Sequence, residues 1–196
     1  TFTASGSVRY DFEESFVAGL GVYMRYLHQD QDRKSKSPDV ILPANVEDIT
    51  LGADYRIGYL LLSAEEQWHD SSLSPYEATR LNAQYRLPLG VGTALDATAN
   101  YDMIDRTTES TTTTIATVKG RWTQRIDQTL SFALTATWRN ETEDPSSTVE
   151  AFDQTFEIFW RYRQTSVTAS VHNSFVNSNA DDTSYLTVQL ALRREF

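Results

Sequence analysis

The sequence predicts an all-β fold, an antiparallel up-and-down β-barrel that crosses a membrane, with about eleven strands. Three observations predict it. Apolar and polar residues alternate with a period of two in segment after segment. The connections between those segments alternate between short and long. Aromatic residues collect at both ends of the apolar stripes.

The totals bound this reading. The 196 residues predict a single barrel domain over 1–196. Hydrophobic residues make up 40% of the chain, and the longest uninterrupted apolar run, Tyr59 to Leu62, is far too short for a transmembrane helix. A membrane barrel passes that test unseen, because half of each strand faces the lumen. There is no cysteine, which removes disulfides and thiolate metal sites. A net charge of -10 argues against nucleic acid as a partner.

Taken in order, the first segment, about 2–12, puts Tyr10 and Phe12 on one parity and Arg9 and Asp11 on the other. The second, about 16–28, opposes Phe16, Leu20, Val22, Met24 and Tyr26 to Gly19, Gly21, Tyr23 and Arg25. The third, about 47–57, carries Tyr55 outward and Asp54 and Arg56 inward. The fourth, about 59–69, has Trp68 outward and Glu65 inward, but Glu66 falls on the outward parity. Either a bulge shifts the register at Glu66 or that face touches protein rather than lipid. Tyr85 opposes Arg80 and Arg86 in the fifth, about 76–87, and Tyr101 opposes Asp96 and Asp102 in the sixth, about 91–104. Trp122 opposes Lys119 and Arg121 in the seventh, about 112–123, and Trp138 opposes Arg139 in the eighth, about 128–139. The ninth, about 150–162, sets Phe152, Phe156, Ile158, Trp160 and Tyr162 against Asp153, Glu157 and Arg161. The tenth, about 165–176, ends with Phe175 outward and His172 and Ser174 inward. The eleventh, about 184–196, sets Leu186, Val188, Leu190, Leu192 and Phe196 against Tyr185, Thr187, Gln189 and Arg193.

A soluble sandwich with one wet face would alternate in the same way. It has no reason to sort its aromatics to strand ends. Here Tyr10, Phe16, Tyr55, Tyr85, Trp122, Trp160 and Tyr162 lie beside short turns, and Tyr26, Trp68, Tyr101, Trp138 and Phe175 beside long loops. Two aromatic layers around an aliphatic band is what headgroup interfaces select. From Phe16 to Tyr26 the chain extends roughly 33 Å, or about 24 Å along the normal at a 45° tilt, against an apolar band of about 25 Å.

On this assignment the lumen carries eleven basic residues, including Arg25, Arg56, Arg80, Arg86, Arg121, Arg139 and Arg161, and eight acids, including Glu65, Asp96, Asp102, Asp153 and Glu157. These charges predict either a lumenal web of ion pairs or a ladder of arginines that favours anions. In the first case Asp54 and Arg56 face Glu65 across the Gly58 turn, and Arg139 meets Asp153, Glu157 and Arg161. The long loops hold most of the negative charge and match no calcium-loop spacing, so no metal and no cofactor is expected. His28, His69 and His172 fall near outer strand ends, where a histidine beside Asp70 or Asp30 has the residue types of a base. No phosphate loop or zinc spacing accompanies them, and no enzymatic activity is expected.

The alternating strands, the rhythm of short turns and long loops, and the ending Tyr185-Leu-Thr-Val-Gln-Leu-Ala-Leu-Arg-Arg-Glu-Phe196 resemble the outer-membrane β-barrels of Gram-negative bacteria, of the porin-like kind. The match covers the aliphatic positions and Phe196 and departs at Arg194. The resemblance implies residence in the cell outer membrane, contact with its lipid and lipopolysaccharide, and insertion by the barrel assembly machinery. That machinery would read Val188, Leu190, Leu192 and Phe196 as its signal. In this class the C-terminus is periplasmic, so the strand count makes the first strand run inward. An even-stranded barrel then needs one more strand: either Val40–Leu42 in the long loop supplies it, or at least one strand precedes Thr1, which predicts the C-terminal part of a barrel of twelve or more strands. Three functions follow as expectations: a channel for small solutes with a mixed, slightly basic lumen; a structural barrel that anchors or sheathes a partner protein in a trans-envelope secretion or electron-transfer complex; or, third, a hydrolase at the rim.

Overall fold

The computed structural model describes residues 2–13, 18–30, 45–71, 74–144, 147–179 and 181–194. Every regular element among them is a strand. In chain order they are β1 (Phe2–Asp11), β2 (Leu20–Asp30), β3 (Asn45–Ile57), β4 (Leu60–Ser71), β5 (Tyr76–Gly90), β6 (Thr93–Arg106), β7 (Thr111–Arg125), β8 (Leu130–Asp144), β9 (Ser147–Tyr162), β10 (Thr165–Ser178) and β11 (Asp182–Arg194). They form one sheet in sequence order, each strand antiparallel to the next. Among the described residues β1 and β11 are the two ends of that order.

All eleven predicted strands are present, and their ends differ from the expectation in informative places. β2 begins at Leu20 rather than near residue 16. Gly19 adopts φ +91° and donates its N–H to the Phe12 carbonyl, while Phe12 donates to Leu20, so the connection runs on to Gly19. Phe16 lies outside the described residues, as do Phe196 and the 31–44 segment. On the long-loop side β8 reaches Asp144 and β9 starts at Ser147, well past the predicted ends, because the antiparallel ladder continues into polar sequence. There Trp138 Nε1 donates to Glu150 Oε1 at 2.7 Å.

The described chain falls into two compact units. The first holds β1–β4 with the long-loop ends of β5, β6 and β7; the second holds the remainder of β5–β7, most of β8, and β9–β11. In the first unit the ladders are continuous: Arg9 pairs with Tyr23, Tyr23 with Gly52, and Gly52 with Glu65. One residue along, Val8, Met24, Leu51 and Glu66 form the next row on the opposite face. No bulge interrupts Val46–Ile57 against Leu60–Ser71, so Glu66 remains on the apolar face. In the second unit Phe152 faces Phe175, and Trp160 faces Val167. The apolar face stays open to its surroundings: Met24, Leu134, Ile158 and Val171 are all exposed. Among the described residues the buried hydrophobics are only Ala78 and Ala133, so this face has no protein core behind it.

Turns on the short side have local chemistry that explains them. Gly58 sits at φ +57° with open space around its α-carbon, and Gly92 at φ +79°. Between β7 and β8 the Asp127 carboxylate accepts from the Thr129 hydroxyl (2.7 Å), the Thr129 N–H (2.6 Å) and the Leu130 N–H (2.9 Å). The hydroxyl first, then the two amides, hold its pKa below the ordinary carboxylate range.

Two stability tests follow. Gly58→Ala meets no steric obstacle and still costs about 1 kcal/mol, because only the left-handed backbone is penalised; denaturant unfolding in detergent measures it. Asp127 has a depressed pKa in the folded state, so its contribution is present above the unfolded value near 3.9 and fades as pH falls through the lower folded value. The stability gap between wild type and Asp127→Ala is therefore open at neutral pH and closes below about pH 4. A gap that is constant with pH refutes the assignment.

Candidate functional site: the polar face of the sheet

Period two places every inward-predicted residue on one face. In the first unit this face carries Arg25, Arg56, Glu65, Arg80 and Asp102; in the second it carries Arg86, Asp96, Arg121, Arg139, Asp153, Glu157 and Arg161. The outward-predicted aromatics lie on the other face wherever they are described. Tyr10, Tyr85, Tyr101, Trp68, Trp122, Trp160, Tyr162 and Phe175 are all exposed there. In the register, Tyr26 joins Trp68 through Ile49, and Tyr55 joins Leu20 and Leu62.

Many of the charges on the polar face are paired. Arg9 holds Asp54 in a two-pronged pair (2.8 and 3.1 Å) and also reaches Asp11 at 2.7 Å. Arg25 binds Glu65 at 2.9 Å, and Tyr23 donates its hydroxyl to the same carboxylate. Arg80 donates to Gln67 at 2.6 Å and lies 3.9 Å from Asp102. In the second unit Arg86 faces Asp96 at 3.3 Å, Arg121 faces Glu157 at 3.8 Å, and Arg139 holds Glu141 at 2.6 Å. The ion-pair expectation holds in kind, and its partners differ. Asp54 binds Arg9 rather than lying with Arg56 against Glu65, and Arg139 takes Glu141 on its own strand.

Two glycines explain the long reaches. Arg9 on β1 meets Asp54 on β3 by lying over Gly21 of β2; a Cβ at Gly21 would overlap the guanidinium. Tyr23 on β2 meets Glu65 on β4 by lying over Gly52 of β3; a Cβ there would overlap the phenol. Neighbouring strands are about 4.8 Å apart, so such a side chain spans two ladders only where the middle strand presents no side chain. The pattern is visible in sequence as inward glycines beside long polar residues, but the partners are not.

Beside this web is a recess of about 770 Å³, lined by Ser5, Ser7, Arg25, Asp48, Thr50, Glu65, Gln67 and Arg80. Its floor is the buried Thr50. Toward the long-loop end, His69 lies 3.0 Å from Asp48 and stacks on Tyr76 at 4.6 Å. Asp48 therefore replaces Asp70 as the partner of His69, since adjacent residues point to opposite faces. His172 contacts Thr155 (2.9 Å) and Asp153 (3.7 Å), while Ser174 is buried. Among the described residues no cluster of three or more His, Asp or Glu could hold a metal ion.

Gly52→Val is expected to push Tyr23 off Glu65 and to lower stability by about 1–2 kcal/mol, because a charged acceptor loses a donor. Tyr23→Ala placed beside it removes the clash, so the two losses fall short of additivity in a double-mutant cycle read by denaturant unfolding. Additive losses overturn the contact.

No family model matches the chain, and no curated protein matches it. Solved structures do. It is similar to in-vitro folded OmpT, an outer-membrane protein of Vibrio cholerae in its trimer form, with a TM-score of 0.55 at 8% identity over 97% of this chain and 64% of that one. It is similar to the outer-membrane channel DcaP of Acinetobacter baumannii, TM-score 0.51 at 12% identity over 95% and 60%. It is similar to the ferric citrate transporter FecA, TM-score 0.51 at 12% identity over 97% and 37%. The chain thus spans less than two thirds of the length of each of these structures. The shared feature is the fold: an up-and-down antiparallel sheet of the Gram-negative outer-membrane β-barrel class. That fold, with its apolar skin between aromatic layers, agrees with the outer-membrane residence expected from the sequence.

Proposed function

We propose that the chain forms the wall of a porin-like channel for small polar solutes, and that this wall is weakly ion-selective. One observation carries the reading. Six arginines of the polar face, Arg9, Arg25, Arg80, Arg86, Arg121 and Arg139, lie beside carboxylates at 2.6–3.9 Å rather than standing as an open ladder. Fixed charges paired in this way leave little net field for a passing ion, yet present many donors and acceptors to an uncharged or zwitterionic solute. The recess over Thr50 offers such groups, with two guanidiniums, two carboxylates, an amide and three hydroxyls around it. The similarity to a channel such as DcaP supports the reading at the level of fold.

A barrel wall must close its edges. The strands alternate in direction, so β1 and β11 run the same way, and an all-antiparallel closure takes an odd number of further strands between them. In this reading the outer-membrane lipid contacts the aromatic skin, and the assembly machinery engages β11. The described part of its signal, Val188, Leu190 and Leu192, is 68–75% exposed.

Planar-bilayer recording on the full-length protein tests this. The expected result is open-channel conductance with a reversal potential near zero in a KCl gradient. Glu65→Gln, which leaves Arg25 without its carboxylate, is expected to move that potential toward anion selectivity. Strong anion selectivity in the wild type overturns the paired-wall reading. A silent barrel that co-purifies with a second protein favours the structural role instead, as an anchor or sheath for that partner.

A further inference from the structure

The phenylalanines of β9 divide between the two faces of the sheet. Phe152 and Phe156 take the apolar parity, whereas Phe159 takes the polar one, opposite Thr168 of β10 and in line with Glu157 and Arg161. Its ring is 43% exposed. A polar side chain would suit a wet face better, and the surroundings of Phe159 give the ring a use.

Phe159 forms one wall of a recess of about 390 Å³ near the short-turn end of the second unit. That size falls within the ordinary range of small-molecule sites, about 300–1,000 Å³. The side chains beside the ring are short: Ser131 and Ala133 of β8 and Thr168 of β10, with Ala133 buried at the base. Arg121 of β7 and Glu157 of β9 approach each other across β8 to 3.8 Å, and each is about half exposed. That spacing is too long for a direct hydrogen bond and suits a hydroxyl bridging the two. Arg125 adds a second guanidinium to the lining. An open aromatic face thus stands beside a donor and an acceptor set to share one group.

We propose that this recess binds the ring of an uncharged pyranose sugar, with Phe159 stacked on one face of the sugar and Arg121 and Glu157 bonded to its hydroxyls. A pyranose carries a face of C–H groups, which the electron-rich face of an aromatic ring attracts, and a rim of hydroxyls that donate and accept at once. A hydroxyl that donates to Glu157 and accepts from Arg121 satisfies both and leaves their charges balanced. A charged ligand would instead compete with one of the two for the other. The proposal deepens the channel reading and rests on it for the sugar's access to this face.

Saturation-transfer NMR on the full-length protein in detergent, with D-glucose as the probe, tests the site. Transfer to the C–H protons of glucose is expected in the wild type. Phe159→Leu keeps apolar bulk and removes the ring, and is expected to weaken binding about threefold or more. Glu157→Ala, which leaves the ring in place, is expected to weaken it as well. Phe159→Trp is expected to retain binding. No transfer in the wild type, or equal transfer in the wild type and Phe159→Leu, overturns the site. Binding of L-phenylalanine where glucose does not bind overturns the sugar assignment. A protein that conducts in the bilayer and shows no transfer loses the site and keeps the channel, so the two readings fail separately.

Discussion

A strand in a membrane must give every backbone N–H and C=O to a neighbouring strand, because the hydrocarbon offers no other partner. The continuous ladders of this sheet, such as Val46–Ile57 against Leu60–Ser71, meet that constraint. They also fix everything else. Once the register is set, side chains alternate strictly, one face toward lipid and the other toward the interior. Neither face has freedom to hide a misplaced residue, as Glu66 shows by remaining among Leu51, Ala64 and Trp68.

The polar face then has to manage a dense set of charges at low cost. It does so by pairing. Arg9 with Asp54, and Tyr23 and Arg25 with Glu65, reach across an intervening strand, and the glycines at 21 and 52 leave room for Arg9 and Tyr23. These pairs are partly exposed and individually modest in energy. Their consequence is local: a guanidinium beside a carboxylate on a face rich in hydrogen-bonding groups. That is a different device from a bare row of arginines, although the residue inventory is the same.

The outward face poses the opposite problem. Its aliphatic band and aromatic layers suit lipid, and no protein core lies behind them. The amides at Gln154 and Asn173 and the carboxylate at Glu66 do not suit lipid.

Much of this was legible in the sequence because a period of two is local. Alternation alone located eleven strands and assigned Arg25, Glu65, Asp153 and Trp68 to their faces, since the side a residue takes depends only on its own strand. What sequence could not supply was partnership. The bond from Arg9 to Asp54 spans 45 positions and depends on Gly21 falling between them in the register, a fact about three strands at once. The late start of β2 depended on Gly19 bonding back to Phe12, and the long ends of β8 and β9 on a ladder continuing past the apolar residues. The position of Glu66 also needed the ladder, because the sequence allowed a bulge there and only the unbroken register excluded it. Local chemistry determined which way each side chain points; tertiary pairing decided what it meets, because register is a property of strands brought together.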